Sequence, residues 1–157
     1  STSRRQRQMC IRDRDVCVAM LDIDFFKKVN DTYGHDKGDM VLRTLSRVIS
    51  QYTDDTIHAG RYGGEEFLIL FSGYTRKQAG KILEGMLTNF RNQEYDFLPE
   101  DVIITFSAGF TYLDNKNIDV EGFIKCADEA LYYSKEHGRN QITYYNDLRL
   151  RDMQVNR

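Results

Sequence analysis

Val16-Cys17-Val18-Ala19-Met20-Leu21 is a continuous apolar run, the pattern of a strand buried on both faces. It ends in Asp22-Ile23-Asp24, where alternation puts the two carboxylates on one side and Ile23 on the other. Phe25 to Thr32 reads as a short helix stopped near Gly34. Asp36 to Tyr52 reads as a longer one, because Val41, Leu45, Val48, Ile49 and Tyr52 recur on one helical face. A hairpin is expected over about 56–72, with Ile57-His58-Ala59 and Phe67-Leu68-Ile69-Leu70-Phe71 as its strands. Gly63-Gly64 is its expected turn, since glycine accepts positive φ without steric cost. Thr75 to Phe90 is helical, with Ala79, Ile82, Leu83, Met86 and Phe90 inward. Val102 to Tyr112 alternates as a strand. Asp119 to His137 is a helix with Phe123, Ile124, Ala127 and Leu131 inward, ended by Gly138. Gln141 to Tyr145 is the last strand. The order β-α-α-β-β-α-β-α-β implies an α+β sandwich around a largely antiparallel sheet.

A chain of 157 residues is long enough for one domain with a sizeable core. The expected organisation is a single domain over 1–157 with its core at 14–146. A polar, basic helix end over 1–13 leads into it, and a charged tail frays from Asn146, over 147–157. A net charge of -2 supplies no basic footprint for nucleic acid. Cys10, Cys17 and Cys126 are scattered and lack metal-type spacing, as for reduced, packing thiols in a cytosolic protein. No signal peptide and no apolar run of membrane-spanning length is seen. A cytoplasmic domain without membrane contact of its own is therefore expected.

Chemistry enters with Arg61-Tyr62-Gly63-Gly64-Glu65-Glu66-Phe67. Two glycines let a ligand approach the backbone, and two carboxylates follow at once at a hairpin tip. Asp22 and Asp24, at the end of a buried strand, are costly unless paired or bound to metal. If the hairpin lies beside that strand, Asp22 and Glu65 converge into the minimal arrangement for two-metal phosphoryl transfer. Otherwise these are two separate, solvated acidic strand ends.

Four ordered blocks go further. They are Asp22-Ile23-Asp24-Phe25-Phe26-Lys27-Lys28-Val29-Asn30-Asp31 with Gly34-His35 and Gly38-Asp39, then Arg61 to Phe67, then Ala127-Asp128-Glu129-Ala130-Leu131-Tyr132, then Lys135 with Gly138-Arg139-Asn140. In order and spacing, from near residue 16 to near 145, the chain resembles the GGDEF domain of diguanylate cyclases, with the hairpin in its Glu variant. The resemblance implies a ferredoxin-like, nucleotidyl-cyclase-type sandwich with a five-stranded sheet flanked by helices. It implies condensation of two GTP into cyclic di-GMP and two pyrophosphates, across a homodimer in which each domain holds one GTP. Asp22 and Glu65 would hold two Mg²⁺ (or Mn²⁺), with the Ile23 carbonyl as a further ligand. Glu65 would also accept the proton, unless water does.

Carried onto the remaining positions, the resemblance aims Lys135 and Arg139 at the terminal phosphates, and their spacing of four puts them on one helix face. Phe25 and Phe26 offer helix-opening N–H groups to phosphate, and Lys27 neutralises charge on the transferring group. Asp39 would accept from guanine N1–H and the 2-amino group, and Asn30 would read the remaining edge. His35, Gly63 and Gly64 match nucleotide contacts. Asp24 and Glu66 are either supporting or structural carboxylates. Lys28, Lys77 and Lys81 read as solvated lysines, and Tyr33, Tyr62 and Tyr74 as rim packing. An upstream sensory or receiver module is expected in the full-length protein, which could be membrane-anchored through it. The competing reading is a catalytically silent module that binds GTP or cyclic di-GMP; a polymerase-like palm would need a basic groove.

One departure stands out. Many members carry an Arg-x-x-Asp motif before the hairpin that binds cyclic di-GMP and shuts the enzyme down. The matching stretch here is Asp54-Asp55-Thr56-Ile57. A carboxylate stands where an anionic product needs a guanidinium, so inhibition at this site is expected to be absent.

Overall fold

The apolar run becomes β1 (Val16–Ile23), the central strand of the sheet. The structure is a computed structural model that describes residues 16–113, 119–148 and 151. The expected basic N-terminal helix end, Cys10 and most of the expected frayed tail lie outside these residues. After β1 come α1 (Phe26–Tyr33), α2 (His35–Ser50), β2 (Ile57–Gly63), β3 (Glu66–Ser72), α3 (Arg76–Arg91), β4 (Phe106–Leu113), α4 (Val120–Glu136) and β5 (Ile142–Tyr144). The strands form one five-stranded sheet in the order β2-β3-β1-β4-β5. All neighbours are antiparallel except β4 and β5.

Alternation along β1 explains the layers. Cys17, Ala19, Leu21 and Ile23 face a core shared with Val41 and Leu45 of α2 and Leu83, Met86 and Phe90 of α3. Val18 and Met20 face Phe123, Ala127 and Leu131 of α4. The inward faces expected of the three long helices are thus buried, with Tyr52, Ile82 and Ile124 half-buried at the margin. Cys17 sits in the core, its thiol 3.7 Å from the Tyr74 carbonyl oxygen. α4 lies so close to β4 that a Cβ on Gly109 would collide with backbone atoms of Ala127, Ala130 and Leu131.

Three local expectations are corrected. β4 begins at Phe106 rather than Val102, because β1 ends opposite it: Ile23 pairs Phe106, and beyond that pair the Asp24 N–H donates to the Thr105 carbonyl at 2.9 Å without extending the ladder. Alternation persists there, with Ile104 buried and Ile103 exposed, but without a ladder. The hairpin turn is Gly64-Glu65 rather than Gly63-Gly64. Gly63 still pairs Glu66 after an irregularity following Arg61, and only Gly64 takes positive φ, 42°. Finally, residues 145–148 are helical, where the sequence pattern has Tyr145 closing the last strand and the tail fraying from Asn146. Asp147 there lies 3.8 Å from Arg76, whose guanidinium also covers the Tyr144 ring.

Candidate active site

Asp22 stands near the end of β1, directly opposite Glu66 on β3 and Ser107 on β4. The Ile23 N–H donates to the Glu65 carbonyl at 3.4 Å, which ties the hairpin turn to the strand end. Asp22, Ile23 and Glu65 consequently line one open cleft of about 490 Å³. Its other walls are Phe25 to Lys28 and Asp31 from the start of α1, and Lys135 and Arg139 from the end of α4. The expected convergence of Asp22 and Glu65 is realised.

Asp22 is only 4% exposed. Burial, which disfavours the charged form, pushes its carboxyl up to about 6; Glu65 and Glu66 push the same way, while Lys135 opposes them. Lys135 donates from Nζ to Asp22 Oδ2 at 2.6 Å. The lysine aimed at the terminal phosphates therefore lies on the carboxylate aimed at metal. Among the described residues no group of three or more His, Cys, Asp or Glu is placed to hold a metal ion. The available donors are the Asp22 and Glu65 carboxylates and the Ile23 carbonyl. This all-oxygen set suits a hard divalent cation, and the Lys135 ammonium already marks the position as one for positive charge.

The opening of α1 is strained. Phe25 precedes the helix at φ 56°, in the left-handed region, and its side chain is 60% exposed. The first helical bond runs from the Val29 N–H to the Phe25 carbonyl, so the N–H groups of Phe26, Lys27 and Lys28 precede the ladder beside the cleft.

Arg139 does not share a helix face with Lys135, because α4 ends at Glu136. Gly138 at φ 114° turns the chain, and the Arg139 N–H closes back onto the Ser134 carbonyl at 2.9 Å. Arg139 then stacks its guanidinium 4.6 Å from the centre of the Phe25 ring.

Asp24 does not line the cleft. It is buried and accepts from Thr105 Oγ1 at 2.6 Å, Ser107 Oγ at 2.6 Å and the Asn140 N–H at 2.9 Å. Arg139 lies 3.7 Å away. Glu66 lines a separate cleft on the α4 side with Tyr62 and Asp128.

The residues expected to read a base stand apart from the acidic cleft. Asn30 lies against Gly38, where any Cβ would collide with its side chain, and Asp39 follows in the chain. Asn30, His35 and Asp39 thus gather at the corner of α1 and α2, with His35 and Asp39 exposed. Gly63 and Gly64 are exposed at the hairpin, and Arg61 braces it by donating to the Gly64 carbonyl at 2.5 Å.

The family profile described as "Diguanylate cyclase, GGDEF domain" matches residues 2–141. The chain belongs to the GGDEF family. It is 36% identical over 129 residues to "Diguanylate cyclase A" of Treponema denticola, covering 80% of this chain and 34% of that protein. The domain thus spans about a third of that relative's length. In structure it is similar to the GGDEF domain of DgcB from Caulobacter crescentus, solved in complex with c-di-GMP. The TM-score is 0.80 at 32% identity, over 91% of this chain and 85% of that one. It is also similar to the active GGEEF domain of a diguanylate cyclase from Vibrio cholerae, with TM-score 0.77 and 32% identity over 92% and 88% of the two chains. The α+β fold with its central sheet and flanking helices is that of the family.

Within this GGDEF domain two further residues wall the cleft: Lys28, expected only as a solvated lysine, and Asp31, which stands in the first block without a role assigned to it. The available signal was their place on the first turns of α1 beside Lys27. At the departure from the family motif, Asp54 is a turn cap. Its Oδ1 accepts from the Thr56 N–H at 2.7 Å, the Thr56 hydroxyl at 2.6 Å and the Ile57 N–H at 3.0 Å. The Thr56 bonds hold its carboxyl below the usual range. Ile57 is buried in the core and pairs Phe71.

Proposed function

We propose that this domain condenses two GTP into cyclic di-GMP. The observation that carries the reading is the convergence of Asp22 and Glu65 on one cleft walled by Lys27, Lys135 and Arg139. Each domain holds one GTP and faces a second copy. The 3′-oxygen of each nucleotide bonds to the partner's α-phosphorus, and the α–β phosphoanhydride breaks to release pyrophosphate. Glu65 takes the 3′-hydroxyl proton, directly or through water. Lys27 and the N–H groups opening α1 stabilise charge on the transferring phosphate, and Arg139 holds the terminal phosphates. Two Mg²⁺, or Mn²⁺, held by Asp22, Glu65 and the Ile23 carbonyl would supply charge neutralisation and activation of the attacking oxygen. Asn30 and Asp39 read the guanine edge.

Among the described residues no helix is long and apolar enough to cross a membrane. We place the domain in the cytoplasm, under a sensory or receiver module elsewhere in a longer protein. The Lys135–Asp22 contact favours one other reading, a silent module that binds nucleotide without turnover. Incubation with GTP and Mg²⁺ over a dilution series separates the two. Cyclic di-GMP should form with specific activity rising with protein concentration, because two domains must meet. No product at any concentration would leave the binding module. ATP should be used at least ~10²-fold less efficiently than GTP, and Asp39→Ser should narrow the gap. Equal use of both by the unmutated chain would refute the assignment of Asp39.

Product inhibition through the Asp54–Ile57 stretch should be absent. Asp54 is committed to its cap and repels phosphate, and Ile57 offers no hydrogen bond. Losing a charged bidentate contact weakens binding on the order of a hundredfold. Calorimetric titration of cyclic di-GMP should show no tight site there. A sub-micromolar site abolished by mutating this stretch would overturn the expectation.

A further inference from the structure

We propose that Asp24 is a positioning residue for the phosphate subsite: it holds Arg139 against Phe25 and fixes the turn over 138–140. The proposal rests on the nucleotide reading above for what Arg139 binds, and on geometry alone for what Asp24 does. Asp24 is engaged by protein donors rather than open to the cleft. Its oxygens accept from two hydroxyls, those of Thr105 and Ser107, and from the Asn140 N–H, with the Arg139 guanidinium beside them. It does not line the cleft.

The backbone shows what those bonds accomplish. Among the described residues three non-glycine residues take positive φ: Phe25 at 56°, Arg139 at 62° and Asn140 at 50°. Such conformations persist only where the surroundings over-determine them, and they gather at functional sites. All three meet at Asp24. It captures the Asn140 N–H, draws in the Arg139 guanidinium and immediately precedes Phe25, whose ring that guanidinium covers at 4.6 Å. At 3.7 Å the ion pair leaves guanidinium donors open to a further anion. The Thr105 and Ser107 hydroxyls fix the carboxylate to the entry of β4, so the arginine is referenced to the sheet rather than to a loop. A purely structural Asp24 would tie β1 to β4 and leave Arg139 indifferent to it.

The test combines a double-mutant cycle with a nucleotide-independent probe. Affinities of a non-hydrolysable GTP analogue and of GMP are measured for the unmutated domain, Asp24→Asn, Arg139→Ala and the double variant. Asp24→Asn and Arg139→Ala should each weaken the triphosphate roughly tenfold, the double variant should be no weaker than Arg139→Ala, and GMP binding should hold. The Phe25 ring current on the Arg139 side-chain protons, read by NMR without nucleotide, should be lost in Asp24→Asn. Should that variant not fold, Ser107→Ala removes one hydroxyl and keeps the charge, and the same signal should move part-way. Additive losses, GMP weakened as much as the triphosphate, or an Arg139 signal unmoved in both variants would each overturn the proposal. If the unmutated domain binds no triphosphate, the nucleotide reading falls and takes the phosphate role with it. The NMR signal would then report on the Asp24–Arg139 geometry alone.

Discussion

Glu65→Gln should yield a folded domain whose turnover is down by roughly three orders of magnitude, about 4 kcal/mol of transition-state stabilisation. Glu65 sits in the two-residue turn that the Ile23 N–H holds against the end of β1. Glutamine keeps that shape and its backbone bond and removes the charge that the proposed metal and proton roles require. Steady-state kinetics beside thermal melts check the split between function and fold. Near-normal turnover in a folded variant would sink the assignment. The same substitution removes one negative neighbour of Asp22, so the Asp22 carboxyl should titrate below its present value of about 6. In the unmutated domain a proton would compete with the proposed Mg²⁺ for the Asp22 carboxylate, so the Mg²⁺ concentration needed for half-maximal turnover should rise as pH drops through about 6.

Gly109→Ala is expected to destabilise the fold strongly. The added Cβ would meet backbone of Ala127, Ala130 and Leu131, which cannot step aside as a flexible side chain would. Overpacking typically costs 1–3 kcal/mol, and a clash with backbone belongs at about 3 kcal/mol or more. For a domain of this size that lowers Tm by roughly 6–12 °C. Because α4 also carries Lys135, nucleotide binding should weaken in parallel. A melt unchanged from the unmutated domain would mean that α4 rides further from β4 than described.

Much of this was legible because burial writes itself into residue type. β1 carries apolar residues on both faces because it is central, and the long helices carry stripes because each covers one face of the sheet. The Asp22–Glu65 convergence was legible because a strand end and a hairpin tip can meet only if their strands pair. What remained hidden is non-local. Two adjacent glycines offer two positions for positive φ, and the irregularity after Arg61 decides between them. Alternation past residue 102 cannot report that β1 has already ended opposite Phe106. The four-residue spacing of Lys135 and Arg139 was read through a helix end that Gly138 sets between them. The partners of Asp24 come from more than 80 residues away, and no local pattern names them.

The Asp54–Ile57 stretch also bears on how readily this domain could acquire feedback control. An arginine at position 54 would remove the oxygen that caps Thr56 and Ile57, loosening the entry to β2. An aspartate at position 57 would put a carboxylate where a 3% exposed isoleucine packs beneath the sheet. Neither change alone creates a binding site, and each alone weakens the fold. If the domain makes cyclic di-GMP as proposed, sensitivity to it through this stretch would therefore not be acquired one substitution at a time without passing through damaged intermediates. Lineages carrying this stretch would have to restrain output by other means, such as control of when two domains are allowed to meet.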